Sequence, residues 1–170
     1  MTVNPIITQL QESDWERLRT IRLASLVESP DWLSGKGYEF ESTAPKEFWH
    51  EQIANGMWFI AVNDGRDIAV MNAGDPNPNF PTSRWLQAFW IEPDFRGRGI
   101  LPALINFLEN LGFDQGWENL GLGVWLDNTR ALTAYEHVGF TTLSRPMRSR
   151  ENPGKFYCVM SKDIRTSPRP

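Results

Sequence analysis

The stretch that most restricts the fold of this chain is Phe95-Arg96-Gly97-Arg98-Gly99-Ile100-Leu101-Pro102, because it must turn a strand into a helix within a few residues. Before it, Trp85-Leu86-Gln87-Ala88-Phe89-Trp90-Ile91 carries the aromatic and branched residues of a mostly buried strand. After it, Leu101, Leu104, Ile105, Leu108 and Leu111 recur at helical spacing, with Gly112 as the expected stop. The first N–H groups of such a helix lack intrahelical acceptors, and the positive end of its dipole faces the turn. A glycine loop at that point is an anion cradle, and phosphate suits it.

The rest of the chain supplies the elements around this loop. Ser13-Asp14-Trp15-Glu16 has the form of a capping box, and Trp15, Leu18 and Ile21 continue a helix up to Pro30. Residues 31–43 read as irregular, and 45–54 as a second helix closed by Asn55-Gly56. Residues 57–62 and 68–73 read as strands, and Asn63-Asp64-Gly65-Arg66 between them is a hairpin turn. Pro76, Pro78 and Pro81 make residues 75–81 a loop, since proline removes donors from any ladder. Residues 120–126 read as a strand, 129–138 as a helix ending at Gly139, and 140–143 and 156–161 as strands. Two helices, three strands, a helix, a strand, a helix and two strands predict an α+β fold, a mixed and largely antiparallel central sheet flanked by helices.

Composition narrows the class of partner. At 170 residues the chain is the size of one domain, expected over residues 1–164, with 165–170 as a disordered tail. A net charge of −4 argues against a general nucleic-acid binder, whose footprint would be basic. The arginines are nevertheless clustered, at 96 and 98 and again at 145, 148 and 150, as a local site for a small anion would require. No apolar run is long enough to span a bilayer, and the amino terminus does not have the form of a secretory signal. The single Cys158 cannot form an internal disulfide, so the cytoplasm is the expected compartment. His50 and His137 stand without metal-ligand company, and no metal is expected.

A second motif follows at a distance: Asn128, then Tyr135 seven residues on, in a predicted helix that ends Gly139-Phe140. With the Arg96-x-x-Gly99 loop after a strand, it resembles the GNAT N-acetyltransferases, and the order of predicted elements is similar to that acyl-CoA N-acyltransferase fold over nearly the whole chain. The resemblance implies acetyl-CoA as co-substrate and a primary amine of a small molecule or peptide as acceptor, with no metal, nucleic acid or membrane. It implies that Arg96, Gly97, Arg98, Gly99, Ile100 and Leu101 hold the pyrophosphate through their amides, helped by the arginine charges. Phe89, Trp90 and Ile91 match the end of the family's central strand, which pairs with the pantetheine arm by strand addition. Asn128 matches a cofactor-contacting asparagine, and Tyr135 matches the tyrosine near the thioester sulfur. Leu101 stands where the family prefers Gly or Ala, and Pro102 after it has no N–H.

The chemistry asks for a neutral amine and a proton for the departing thiolate. Tyr135 is the candidate acid, since a phenol of pKa about 10 can share its proton with a thiolate whose thiol lies near 8.5 only when well positioned. The family often places a glutamate on the central strand or the next one, but those segments hold Gln87 and Leu120-Gly121-Leu122-Gly123. Glu39 and Glu41 are the candidate bases, with a water chain as the alternative. The missing strand carboxylate also keeps a second class open, a noncatalytic acyl-CoA-binding module. A homodimer is compatible with the chain, and no feature marks its surface.

Overall fold

The hairpin at Asn63-Asp64-Gly65-Arg66 sets the register of the first strands. Asp64 and Gly65 take φ of 49° and 76°, the left-handed pair that a type I′ turn needs. On either side, β2 (Met57–Asn63) and β3 (Arg66–Gly74) pair antiparallel. The computed structural model describes residues 1–33 and 35–165, so the tail expected over 165–170 lies outside the described residues except for Arg165. The remaining elements are β1 (Ile6–Gln9), α1 (Trp15–Glu28), α2 (Tyr38–Thr43), α3 (Lys46–Ala54), β4 (Arg84–Ile91), α4 (Ile100–Gln115), β5 (Asn119–Trp125), α5 (Thr129–His137), β6 (Thr141–Thr142), β7 (Met147–Arg148) and β8 (Phe156–Asp163). The strands order as β1-β2-β3-β4-β5-β8-β6, with β7 also on β8. The β4–β5 ladder is parallel, and the pairs β1–β2, β2–β3, β5–β8, β6–β8 and β7–β8 are antiparallel. The mixed, mostly antiparallel sheet expected from the sequence is therefore present.

The chain divides into two compact units, Met1–Gly74 with Gln87–Leu104, and Asp75–Leu86 with Ile105–Pro170. In the first, Leu18 and Ile21 of α1 and Trp49 of α3 join Trp58, Ile60, Val70, Ala88 and Trp90 of the sheet in one buried cluster. The same unit buries an ion pair, Arg22 to Glu41, each residue only 4% exposed, with Nε–Oε2 at 3.0 Å and Nη2–Oε1 at 3.1 Å. This pair explains α2, where the sequence predicts irregular chain. A six-residue helix has little stability of its own, but Glu41 must reach Arg22 of α1 with its carboxylate.

In the second unit, the glycines of β5 make room for other side chains. A Cβ on Gly121 would lie 2.2 Å from Thr82 Cγ2, and the Trp85 ring lies 3.3 Å from that position and 3.5 Å from the one on Gly123. Gly112 has a similar role inside α4, where a Cβ would meet Ile164 Cδ1 at 2.5 Å and Trp117 Cε3 at 2.8 Å. It does not stop the helix, as the sequence suggested. The stop is Gly116 at φ 72°, with the Trp117 N–H bonded to the Gly112 carbonyl at 2.8 Å in a Schellman arrangement. Strands β1 and β7 escaped the sequence reading because four and two residues are too few to show alternation. The expected capping box at Ser13 is displaced upstream, where the Gln11 N–H donates to Asp14 Oδ2 at 2.9 Å.

Removing one partner of a buried pair leaves the other charge uncompensated, which costs about 3–5 kcal/mol. Glu41→Ala is expected to lower the unfolding free energy by that order in urea titrations. The double variant Arg22→Met with Glu41→Leu should regain most of the loss, as apolar replacement of a whole buried pair does.

Candidate functional site

Between β4 and α4 the chain makes a 3-10 turn, Pro93–Phe95, and then a glycine loop. Gly97 and Gly99 take φ of 69° and 89°, a region closed to most side chains. A Cβ on Gly97 would meet nothing within 4 Å, so backbone geometry, and not crowding, requires glycine there. At Gly99 a Cβ would lie 3.1 Å from Thr2, and the Val3 N–H donates to the Arg98 carbonyl at 2.8 Å, so the amino-terminal residues brace the loop. Helix α4 opens at Ile100, and its first described turn bond runs from the Ala103 N–H to the Gly99 carbonyl at 3.1 Å. Ile100 and Leu101 precede that bond, so helix geometry gives their N–H groups no intrahelical acceptor. Pro102 sits in this first turn, where its missing N–H breaks no helix bond.

The two arginines of the loop have different surroundings. Arg96 turns inward: Nε donates to the Ile91 carbonyl at 2.8 Å, Nη1 donates to Glu28 Oε1 at 3.2 Å, and Nη2 pairs with Glu28 Oε2. The Trp90 indole N–H donates to the same Glu28 oxygen at 2.8 Å, and the Ser29 hydroxyl adds a further bond. Hydrogen bonding to the Arg96 guanidinium, ahead of the bonds from Ser29 and Trp90, draws the Glu28 carboxyl down to about 2. The amide of Arg96 is also engaged, with the Pro93 carbonyl at 3.2 Å. Arg98 is exposed, lies 5.8 Å from the Phe95 ring centroid, and forms no ion pair among the described residues. The charge that remains for an anion is therefore that of Arg98 and the helix terminus, since Glu28 neutralises Arg96.

Glu28 was not singled out from the sequence, although a signal was there. It is the last residue of α1, where the negative end of the helix dipole disfavours a carboxylate. A local rule broken in this way points to a tertiary partner.

The other expected site residues divide between the units. In the second, Asn128 caps α5, its Oδ1 accepting the Ala131 N–H at 3.1 Å. Tyr135 meets Phe140 edge to face at 5.6 Å, and burial raises its hydroxyl above the ordinary phenol range. Lys162 donates to the Val138 carbonyl at the end of the same helix at 2.7 Å and pairs with Glu109 of α4 at 3.0 Å. In the first unit, Glu39 is exposed on α2, and both oxygens of Glu41 face Arg22. Phe89, Trp90 and Ile91 close β4 directly before the loop. Cys158 is buried, which pushes its thiol up and away from the thiolate form. Among the described residues, no three His, Cys, Asp or Glu side chains converge as a metal site, and no helix is long and apolar enough to cross a membrane.

A mixed sheet whose strand passes through a glycine loop into a helix belongs to the α+β folds that offer an anion a helix N-terminus. Residues 15–140 match the acetyltransferase (GNAT) family, and the chain belongs to that family. No curated protein sequence matches it. Among solved structures it is similar to a spermidine N-acetyltransferase chimera from Vibrio cholerae, with 16% identity, TM-score 0.73, and 94% of this chain and 95% of that one covered. It is equally similar to a ribosomal-protein-alanine N-acetyltransferase from Brucella melitensis, with 18% identity, TM-score 0.73, and coverage of 93% and 99%. A Salmonella typhimurium protein solved with its cofactor acetyl-CoA aligns at 15% identity and TM-score 0.71, with 98% of each chain covered. At these identities the likeness is one of fold.

The low Glu28 pKa fixes the sign of a pH effect. Between about 2 and the ordinary 4.5 the unfolded chain binds the extra proton, so the contribution of Glu28 to stability is full above 4.5 and lost as pH falls through 2. The unfolding free energies of the natural protein and Glu28→Gln should differ by a constant amount above pH 5 and converge towards pH 2. The side chain is 34% exposed, so added salt should narrow the gap.

Proposed function

We propose that this chain is an acetyl-CoA-dependent N-acetyltransferase acting on the primary amine of a small molecule or peptide, with residues 1–164 serving as one acetyltransferase domain. The observation that carries the reading is the loop from Gly97 to Leu101, which combines left-handed glycines, the start of α4 and the exposed Arg98. The space beside Gly97 and the unneutralised Arg98 charge suit a diphosphate. Acetyl-CoA supplies an activated acetyl thioester. In this reading the amides from Gly97 to Leu101 hold the pyrophosphate, and Arg98 adds charge. Arg96 shapes the loop in place of touching phosphate, since its guanidinium serves Glu28 and Ile91. The backbone of Phe89, Trp90 and Ile91 pairs with the pantetheine arm, and Asn128, besides capping α5, contacts the cofactor.

Tyr135 serves the departing sulfur. Its raised pKa keeps the hydroxyl protonated throughout the neutral and mildly alkaline range. A phenol this reluctant to ionise shares a hydrogen bond with the developing thiolate, and the net proton of the thiol, whose pKa lies near 8.5, comes from solvent. For the amine proton, Glu39 and a water chain are the better routes, because Arg22 occupies both oxygens of Glu41. The spermidine and ribosomal-protein alanine named for the similar structures mark two amine classes to try first.

A noncatalytic acyl-CoA-binding module is the second reading, favoured by Gln87, Gly121 and Gly123 where a strand carboxylate would stand. Thiol release from acetyl-CoA across a panel of amines separates the two. Acceptor-dependent release supports the transferase, and binding without release supports the module. For the transferase, Tyr135→Phe is expected to lower kcat by at least tenfold with little change in the KM of acetyl-CoA. The alkaline side of the kcat profile should show no tyrosine ionisation below pH 10.

A further inference from the structure

Two costs fall on neighbouring positions of the first unit, and nothing above accounts for them. Ala88 holds φ 52° inside β4, a backbone region that strains any residue with a side chain. The other described non-glycine residue at positive φ, Asp64, sits in a hairpin turn that needs it. Asn72 of β3 is 2% exposed between the apolar Met71 and Ala73, and a buried amide is tolerated only when its hydrogen bonds are made.

The bonds of Asn72 run in one direction. Its Nδ2 donates to the Met57 carbonyl at 3.4 Å, and Gly56 provides the space, since a Cβ there would lie 2.6 Å from that nitrogen. A carbonyl can only accept, so the Asn72 nitrogen faces Met57 and Oδ1 faces away. Gln87 Nε2 donates to that Oδ1 at 3.0 Å. The orientation set by Met57 is thereby passed on: the Gln87 nitrogen points inward, and Oε1 is its remaining acceptor. Gln87 is exposed, and its Oε1 has no partner among the described residues. The buried amide thus serves to fix the direction of an exposed one. Ala88 follows directly, and a strand irregularity of this kind re-aims the side chains beside it.

We propose that Gln87 Oε1 is the group that binds the acceptor amine, accepting one of its N–H bonds, with Asn72 as the positioning residue behind it. This rests on the acetyltransferase reading, which places the pantetheine arm at Phe89, two residues along the same strand. Gln87 orients the nitrogen lone pair and takes no proton. As the N–C bond forms and the C–S bond breaks, the sulfur gains a proton and the new amide nitrogen loses one to water. A carboxylate at this position would favour the protonated, unreactive amine, because an opposite charge stabilises the cation. An amide oxygen carries no such bias.

The full-length protein tests this by two readouts. The side-chain NH2 signals of Gln87 and Asn72 are followed by NMR during titration with phenethylamine, spermidine and an alanine-terminated tripeptide, and thiol release from acetyl-CoA is measured with the same amines. The expected result is a shift of the Gln87 signals with at least one amine. Gln87→Leu should raise the KM of that amine about tenfold, with the KM of acetyl-CoA unchanged. Gln87→Glu, which keeps an acceptor oxygen, should restore amine binding and add an ionisation to the acid side of the kcat/KM profile. Amine-dependent release with unmoved Gln87 signals, or with an unchanged amine KM in Gln87→Leu, would overturn the proposal. Absence of release with every amine defeats the acetyltransferase reading, while a Gln87 shift in that case still supports the amine site. Absence of both defeats both. Should Gln87→Leu fail to fold, the NMR titration of the natural protein and the Gln87→Glu profile decide.

Discussion

One guanidinium organises the first unit. Arg96 takes the carbonyl of Ile91 at the end of β4 and the carboxylate of Glu28 at the end of α1, and Trp90 donates to the same carboxylate. The strand end, the helix end and the start of the loop are therefore tied at one point. Three separate mobilities would otherwise make the loop a poor cradle, since each free backbone residue carries about 1–2 kcal/mol of conformational entropy. The bonds to Glu28 are charge-assisted and partly shielded, which makes them stronger than an exposed surface pair. The consequence for function is indirect. A charged residue in the loop is committed to geometry, and the positive potential for an anion comes from Arg98 and the α4 terminus.

A similar division between shape and chemistry runs through the rest of the unit. The buried Arg22–Glu41 pair holds α2 to α1, and each charge depends on the other. Asn72 and Gln87 form a neutral counterpart, one amide buried to direct another that is exposed. In the second unit Lys162 has the same kind of role, donating to the carbonyl of Val138, which caps α5, and pairing with Glu109 of α4, and so steadying the helix that carries Tyr135. In each case a polar side chain is buried or half-buried because it sets the position of something else.

Much of the fold was legible in the sequence because its signals are local. The Asp64-Gly65 turn, the Arg96 to Pro102 loop, the helical periodicity after it and the helix that follows Asn128 depend on residues within a few positions of one another, and each is present. Gly112 and the segment from Tyr38 to Thr43 misled for the opposite reason. Gly112 is glycine because Ile164 and Trp117 crowd it, and α2 is helical because Glu41 reaches Arg22. Neither contact leaves a trace in the neighbouring residues. Gln87 belongs to the same group, with its partner 15 positions away, whereas Glu28 shows locally only that it needs a partner, which lies 68 positions on.

The sequence alone determined the α+β class and the glycine loop, which follow from periodicity and turn chemistry, and it carries the two motifs by which the chain resembles the GNAT acetyltransferases. Only the tertiary structure decided which charges and amides are available. Arg96 and Arg98 are equivalent on paper, and Glu28 makes them different by neutralising one. Gln87 reads as the absence of a carboxylate until Met57 and Asn72 give its amide a direction. Availability depends on what else a polar group has bonded, and the chain sets that only when it folds.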